Sequence, residues 1–263
     1  MKKYTINRFV NDEEGYSYFM GLLFSDGHID WKDDIVYVMS TDLDIIEKVY
    51  NRLSYTGVIN EEEARTSNRK KSYRVILCGE NARYFKSMTS GSSKEDYTFK
   101  GLKREVKDIG AFLRGFLDGD GSIRVGTLSD GTKYLHGITF LGRKRIISDI
   151  QDILGEGHVK IRRPGKVDLY YLTYTGVKAK EIADLMYKNA TIYLERKHKN
   201  YIETVGWVPE EKAEFRSKIK GLNYDKNLSK PWRYRKYKNG KKVIDETFYT
   251  EEDAVDFISE LSV

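Results

Sequence analysis

Two aspartates, Asp26 and Asp120, close two apolar segments of similar composition and offer the clearest chemistry in the sequence. One segment reads Phe-Met-Gly-Leu-Leu-Phe-Ser-Asp-Gly over residues 19–27, and the other reads Leu-Arg-Gly-Phe-Leu-Asp-Gly-Asp-Gly over residues 113–121. An acid after a single apolar helix is ordinarily a helix stop, but two acids in matched segments favour a shared metal site. Magnesium takes a few carboxylate oxygens together with water and phosphate, and it assists phosphodiester hydrolysis by activating water.

Both aspartates are predicted to stand at the end of a helix. The first helix begins at Asn11, whose side chain caps it while Glu14 completes a capping box. It ends where Gly27 adopts a left-handed conformation. The second helix begins near Asp108 and ends at Gly121.

The glycines in the third position of the two segments, Gly21 and Gly115, favour side-by-side packing of these helices. Such packing brings Asp26 and Asp120 together beneath one DNA groove, where each carboxylate can serve one phosphate of a duplex. The cost is repulsion between two carboxylates that both lie at the negative end of a helix dipole. We therefore expect the metal-free protein to be less stable at this point.

The pattern that follows each helix repeats along the chain. Strands are predicted at residues 28–30, 35–40, 58–65 and 73–78, and again at 122–127, 134–141, 158–162 and 167–174. Helices are predicted near residues 45–53 and 81–88, and near 146–154 and 177–188. The predicted fold class is α+β, with two pseudo-symmetric αββαββα halves, residues 1–99 and 100–208, and a small sheet-and-helix module within residues 209–263. A pseudo-twofold chain suits a duplex whose strands are related by a dyad.

The paired segments resemble the two motifs of single-chain LAGLIDADG homing endonucleases, and the repeated αββαββα order resembles that fold over about residues 9–206. The resemblance implies a curved antiparallel sheet from each half in the major groove. It also implies Mg²⁺, with Mn²⁺ as a substitute, bound by Asp26 and Asp120 and by the backbone carbonyls of Ser25 and Gly119. The sequence departs from the motif at residue 24, where Phe24 replaces the first acid. Asp118 keeps that acid and is interpreted as structural.

The implied activity is site-specific cleavage of both DNA strands in a long site, leaving 5′-phosphate and 3′-hydroxyl ends. The family also places a basic residue late in each half, near the active site. Lys94 and Lys197 are the candidates here, although a lysine in either place is more often a solvated surface charge. A chain that carries both halves is expected to act as a monomer.

Basic side chains on the predicted sheets are the candidates for contact with double-stranded DNA. His158, Lys160 and Arg162 alternate with Val159 and Ile161, which places the basic residues on one face. A solvated face would show the same pattern, so each residue alone is a weak indication. The candidates are Arg65, Arg69, Arg74, Arg124, Lys133, Lys160, Arg162 and Lys166.

The tail is the most basic part of the chain. Residues 209–242 hold twelve Lys or Arg against four Asp or Glu, whereas the whole chain has a formal net charge of +6. Its pattern resembles the three-stranded sheet and helix of Apetala-two-like DNA-binding domains over about 35 residues. That resemblance implies DNA contact by Trp232, Arg233, Arg235 and Lys238. The alternative is a simple β-β-α cap docked on the body.

Other function classes find little support in the sequence. One cysteine, Cys78, excludes an internal disulfide, and the four histidines lack the spacing of a zinc site. No apolar run approaches the ~20 residues of a membrane span, so an intracellular, cytoplasmic protein without a membrane partner is expected. Glu195 and Lys197 have the acid-x-lysine spacing of another nuclease class, but no fitting upstream acid accompanies them.

Three alternatives keep the same fold. The chain could be a maturase that binds intron RNA, a DNA-binding regulator that does not cut, or an enzyme that nicks one strand because only one half is competent. The sequence leaves these open, together with the identity of the target DNA.

Overall fold

The computed structural model describes residues 6, 12–64, 70–89, 91, 93–161, 168–208, 219, 221–225, 229–238 and 241–261. The chain forms two compact units, Met1–Pro209 and Glu210–Val263, and each is described here by itself. Among the described residues, no helix is long and apolar enough to cross a membrane.

The first half of the larger unit forms a four-stranded antiparallel sheet in the order β1-β2-β4-β3. Its helices are α1 (Glu13–Ser25), α2 (Leu43–Arg52) and α3 (Glu80–Ser87). Its strands are β1 (Gly27–Asp30), β2 (Ile35–Ser40), β3 (Asn60–Glu62) and β4 (Ser72–Cys78). Two 3-10 turns, Lys94–Asp96 and Phe99–Gly101, follow and lead into the second half.

The second half repeats this order of elements and of strands. Its sheet is also four-stranded and antiparallel, in the order β5-β6-β8-β7. Its helices are α4 (Ile109–Asp120), α5 (Lys144–Leu154), α6 (Gly176–Tyr187) and α7 (Glu195–Ile202). Its strands are β5 (Gly121–Thr127), β6 (Lys133–Gly142), β7 (His158–Ile161) and β8 (Tyr170–Tyr174). The predicted α+β class and the doubled αββαββα order are confirmed, and α7 is an additional helix.

The two halves meet where α1 packs against α4, and about three quarters of the residues of each helix are buried. Their axes approach closely because the contact is made through glycine. A Cβ atom on Gly21 would lie 2.1 Å from the carbonyl oxygen of Phe112, and one on Gly115 would lie 2.1 Å from that of Tyr18. Any larger residue at either position would force the helix backbones apart.

The ends of α1 differ in two ways from the sequence prediction. Asn11 lies outside the described residues, and the cap is Asp12, whose carboxylate accepts a hydrogen bond from the Gly15 N–H at 2.9 Å. Glu14 bonds Arg114 and Thr191 of the second half, so its carboxylate is engaged away from the predicted capping box. Gly27 has no positive φ angle; it begins β1, and a Cβ there would lie 2.2 Å from the Leu23 carbonyl oxygen. Glycine is needed at this position for close approach, and the predicted left-handed stop was wrong.

Gly121 likewise follows α4 in an extended conformation with φ −152°, and it is the first residue of β5. The predicted start of α4 is confirmed, because Asp108 Oδ1 accepts a hydrogen bond from the Ala111 N–H at 2.8 Å. Both motif helices therefore pass directly into the first strand of their sheet. The acids consequently lie at a sharp junction between helix and sheet.

The smaller unit contains a three-stranded antiparallel sheet in the order β11-β10-β9 and one helix. These elements are β9 (Leu222–Tyr224), β10 (Trp232–Lys238), β11 (Lys241–Phe248) and α8 (Glu251–Glu260). The core of the unit consists of Leu222, Trp232, Tyr234 and Ala254. It is separate from the core of the larger unit.

Candidate active site

Asp26 and Asp120 stand at neighbouring ends of α1 and α4. Asp26 is the C-cap of α1, and Asp120 is the last residue of α4. Gly119 makes the approach possible, because a Cβ at that position would lie 2.1 Å from Ser25 Oγ and 3.2 Å from the Asp26 carboxyl carbon. The two predicted acids are thus brought together by the packing of the motif helices.

The electrostatics of this junction match the predicted tension between two acids. The pKa of Asp26 is raised from 3.8 to about 6, chiefly by burial and also by the charge of Asp120. Positive charges on Lys94, Lys197 and Arg196 oppose the rise. A divalent cation between the carboxylates would offset both the burial and the repulsion.

Lys94 and Lys197 occupy corresponding places beside the two helix ends. Lys94, in the first 3-10 turn, donates a hydrogen bond to the Ser25 carbonyl oxygen. Lys197, on α7, donates to the Leu117 carbonyl and, at 2.9 Å, to that of Asp118. Each ammonium group therefore partly neutralises the negative end of a motif helix.

The environments of the two lysines are different. Lys197 is 3% exposed, and burial lowers its pKa from 10.5 to about 8 although the nearby Asp118 charge opposes that shift. Lys94 is only partly buried. The second half therefore holds its lysine more deeply than the first half does.

Asp118 is buried, and its carboxylate forms hydrogen bonds with residues other than Asp26 and Asp120. Its two oxygens accept hydrogen bonds from Tyr18, Tyr187 and the backbone N–H of Leu194. Burial raises the pKa of Asp118, and the charge of Lys197 opposes that rise. In the first half the corresponding Phe24 packs its ring 4.9 Å from that of Tyr97.

The donors at the junction suit a hard cation. They are two carboxylates and backbone carbonyls, with no group of three His, Cys, Asp or Glu side chains anywhere in the described part of the chain. Such a set leaves most coordination positions to water and phosphate, as Mg²⁺ prefers, and lacks the nitrogen and sulfur ligands of a zinc site. The Ser25 carbonyl, predicted as a ligand, already accepts a hydrogen bond from Lys94 and keeps one lone pair.

The outer face of the second sheet is basic. Arg124, His158 and Lys160 are exposed on its strands. Lys133 is exposed as well, but it pairs with Thr127, to whose Oγ1 its Nζ donates at 2.9 Å, on the side of the sheet that carries the buried Leu135. Edge strand β7 differs from the prediction, because Val159 and Ile161 are 40% and 55% exposed and do not form a buried opposite face. The predicted basic residues Arg162 and Lys166 lie outside the described residues.

On the first sheet, the one predicted DNA contact that the structure describes is Arg74, and its charge is offset. Arg74 lies 3.7 Å from Glu62 and has its guanidinium over the ring of Tyr37, at 5.7 Å. Val75 and Leu77 of the same strand face the core. Arg65 and Arg69, also predicted to bind DNA, lie outside the described residues.

The predicted DNA-contacting residues of the smaller unit fall on different faces. Trp232 is 7% exposed and belongs to the core, so its predicted place on a DNA-facing surface was wrong. Arg233 lies on the other face, where its guanidinium binds Asp245 at 2.6 and 2.7 Å, and Arg235 reaches the same carboxylate at 3.4 Å. The side chain of Lys238 is outside the described part of the chain.

Several residues that the sequence interpretation passed over are part of this region. The positive charge of Arg196 lowers the pKa of both Asp26 and Lys197, and Arg196 directly precedes Lys197 in the sequence. Glu195, considered for a different nuclease class, binds Lys48 at 2.7 Å. Buried Arg114 binds Glu14 across the two halves at 2.5 Å, and a charge inside an apolar helix is the signal that could have found it.

No protein-family model and no curated protein sequence matches the chain. Among solved structures, the LAGLIDADG meganuclease I-AabMI bound to uncleaved DNA is 12% identical over 72% of this chain and 87% of that chain, with a TM-score of 0.45. The homing endonuclease I-WcaI bound to its DNA recognition sequence is 10% identical over 72% and 86%, with a TM-score of 0.45. The N-terminal LAGLIDADG domain of DUF199/WhiA is 12% identical over 73% and 89%, with a TM-score of 0.43. At these identities and TM-scores, the function of the chain has to be inferred from its own residues.

Proposed function

We propose that this chain is a Mg²⁺-dependent, site-specific endonuclease that cuts both strands of double-stranded DNA. The observation that carries the proposal is the pairing of Asp26 and Asp120 at the glycine-mediated contact of α1 and α4, with a lysine beside each helix end. A protein that only binds nucleic acid has no need of two carboxylates held together against their repulsion. This favours cleavage over a DNA-binding regulator or an RNA-binding maturase.

In this proposal Asp26 and Asp120 hold Mg²⁺, with Mn²⁺ as a substitute, and the Ser25 and Gly119 carbonyls complete the protein's share of the ligands. The bound cation supplies an activated water and neutralises charge on the phosphate. Lys94 and Lys197 stabilise the extra negative charge of the transition state, one at each scissile phosphate. Attack by water on phosphorus expels the 3′ oxygen, which leaves a 3′-hydroxyl and a 5′-phosphate.

DNA recognition is proposed for the outer faces of the two sheets and for the basic tail. Arg124, Lys133 and Lys160 are exposed on the second sheet and carry charges suited to phosphates. Arg233 and Arg235 offer a second basic surface on the smaller unit, which would lengthen the site and add affinity through the tether. Arg65, Arg69, Arg74, Arg162, Lys166 and Lys238 remain proposed contacts.

The proposed domain boundaries are those of the sequence, residues 1–99, 100–208 and 209–263. Because both halves and their interface lie within one chain, we propose a monomer as the active form. A second strand-cutting centre then needs no second copy. Sedimentation or light scattering that shows an obligate dimer would contradict this part of the proposal.

The test is cleavage of a plasmid that carries the uninterrupted allele of the locus in which the gene is inserted. Wild type, Asp26→Asn and Asp120→Asn are compared in Mg²⁺ and in EDTA, with Asp152→Asn, an exposed acid of α5, as the matched control. Linear product that requires Mg²⁺, vanishes in both site variants and persists in the control is the expected result. Tight binding of that DNA without cleavage would indicate a regulator, and preferential binding of intron RNA would indicate a maturase.

A further inference from the structure

The two motifs differ at the position two residues before the metal-binding acid. The second half has Asp118 there, and the first half has Phe24. Phe24 packs its ring near those of Tyr97 and Phe112, at 4.9 Å and 6.5 Å between ring centroids. Asp118 instead brings three hydrogen-bond donors together in the core.

The three donors come from three different parts of the fold. Tyr18 of α1 donates its hydroxyl to Asp118 Oδ2 at 2.7 Å, and Tyr187 of α6 donates to Oδ1 at 3.1 Å. The backbone N–H of Leu194 donates to Oδ2 at 2.8 Å. Because Asp118 is only 4% exposed, water does not replace these bonds when one is lost, and a missing partner leaves a buried polar group unpaired.

The bond to Leu194 is the one that reaches the active site. Leu194 is the N-cap of α7, and its carbonyl accepts hydrogen bonds from the N–H groups of Lys197 and His198, both at 3.0 Å. A short helix of eight residues has little stability of its own, so its place depends on tertiary contacts. Asp118 thereby attaches the start of α7 to the end of α4.

Lys197 forms a second connection between α7 and the end of α4. Its ammonium group returns to the carbonyl oxygens of Leu117 and Asp118. The side chain of Asp118 therefore holds the backbone that carries Lys197, while the main chain of Asp118 receives the Lys197 ammonium group. Among the residues that the structure describes, this double attachment has no counterpart at Lys94, which lies in a 3-10 turn of three residues.

We propose that Asp118 is a positioning residue that holds α7 so that Lys197 stays at the end of α4, and that of the two lysines it positions Lys197 alone. Its effect on DNA cleavage rests on the endonuclease function proposed above. The hold on Lys197 itself does not. Loss of Asp118 should therefore slow cleavage of one strand and leave the strand served by Lys94 nearly unchanged.

Two substitutions separate positioning from other roles. Asp118→Ala removes the acceptor of all three hydrogen bonds. Asp118→Asn keeps an amide oxygen for Tyr18 and Leu194, and its NH₂ group can donate to the oxygen of Tyr187. Ile150→Ala is the matched control, because it opens a cavity in the same half, at a fully buried residue of α5.

The first readout is acylation of Lys197 by acetic anhydride in the full-length protein without DNA or metal, followed site by site with mass spectrometry. In Asp118→Ala the rate should rise at least about tenfold, whereas Asp118→Asn and Ile150→Ala should stay within about threefold of wild type. Equal labelling of Lys197 in wild type and Asp118→Ala would overturn the proposal. So would equal labelling of Asp118→Asn and Asp118→Ala, since the charge would then be what matters.

The second readout is single-turnover cleavage of a duplex labelled on either strand. Asp118→Ala should slow one strand by about 10- to 100-fold and the other by less than about threefold, and Asp118→Asn should restore the slowed strand. Equal slowing of both strands by Asp118→Ala would overturn the proposal. Wild type that cuts no DNA would reject the endonuclease function instead, and the labelling experiment would still decide whether Asp118 holds Lys197.

Discussion

The two halves of the larger unit share their order of elements but differ in the structure that holds the lysine beside the motif helix. Both end a motif helix in an acid, both use glycine where α1 meets α4, and both bring a lysine to the helix end. The second half adds a buried acid and a whole helix, α7, to hold its lysine. What is common to both halves is what the junction itself requires, and the supporting structure has diverged around it.

The two sheets also differ in the basic residues that are exposed on their outer faces. Arg124 and Lys160 of the second sheet are exposed, whereas Arg74 of the first sheet lies beside Glu62 and Tyr37. Among the described residues, exposed basic charge therefore lies on the second sheet, whereas the charge of Arg74 on the first sheet is offset. Phosphate contacts should therefore contribute more to binding by the second half.

The shared glycine contact gives the largest expected effect on stability. Gly21→Ala and Gly115→Ala should each lower the free energy of unfolding by at least about 3 kcal/mol, because the new Cβ meets backbone that cannot move aside. Gly131→Ala is the control, since its Cβ would meet open space and only its φ of +86° would be strained. Urea unfolding measures all three. A loss at Gly21 or Gly115 no larger than at Gly131 would show that the halves meet differently.

The shared acids give the next effect, and its sign depends on pH. The folded pKa of Asp26, about 6, lies above the ordinary value of 3.8, so the folded state binds this proton more tightly than the unfolded state. The resulting stability is fully present below about pH 4 and is lost as pH rises through 6, at a cost of about 3 kcal/mol. Asp26→Asn in EDTA should therefore stabilise the protein by up to about 3 kcal/mol at pH 7.5 and by little at pH 4.

Thermal unfolding of Asp26→Asn and wild type at the two pH values, with and without Mg²⁺, checks this account. Because the charge of Asp120 raises the pKa of Asp26, Asp120→Asn should also lower that pKa, as measured by NMR titration. Wild type as stable as Asp26→Asn at pH 7.5 in EDTA would mean that burial and the charge of Asp120 do not destabilise the ionised Asp26.

The outer faces give a smaller effect on binding. Arg124→Ala and Lys160→Ala should each weaken DNA binding by about five- to tenfold and reduce the salt slope by about one, since each removes a charge that no ion pair among the described residues offsets. Arg74→Ala should change affinity by about twofold, because Glu62 already offsets its charge. Fluorescence anisotropy over a range of salt concentrations distinguishes them. Equal losses from all three variants would contradict the asymmetry of the faces.

The smallest effect is expected in the smaller unit. Asp245 binds Arg233, Arg235 and Lys242. The hydrogen bonds from Arg233 and Lys242 hold the pKa of Asp245 well below the usual range. Asp245→Asn should free these cations and strengthen DNA binding by about twofold, with little change in Tm because the ion pairs lie at the surface and are partly exposed. Weaker binding would show that the arginines need Asp245 to orient them.

The sequence revealed the parts of this fold that depend on local pattern. The sequence predicts strand β2 at residues 35–40, where it lies, because β-branched and aromatic residues follow a turn there. Helix α7 was missed because Lys197 and Tyr201 are its only buried residues, which leaves no apolar periodicity to read. Its position is set by bonds to residues far away in the chain.

In the candidate site, too, the sequence predicts the residues that belong to a recurring local pattern and misses the bonds between distant residues. Asp26 and Asp120 stand out because they recur in matched segments, and the lysines followed from the family resemblance. The partners of Asp118 could not be found in this way, since Tyr18 lies 100 residues from it in the sequence and Leu194 lies 76 residues away. Trp232 was misplaced because alternation along β10 gives two faces and does not say which one packs on α8.

The most direct test of the central claim is strand-resolved cleavage by the two acid variants. A duplex that carries the target, labelled on each strand in turn, is incubated with wild type, Asp26→Asn or Asp120→Asn in Mg²⁺ and in EDTA. We expect wild type to cut both strands only with Mg²⁺, and we expect neither variant to make a double-strand break. Cleavage of both strands at the wild-type rate by either variant, or cleavage in EDTA, would contradict it.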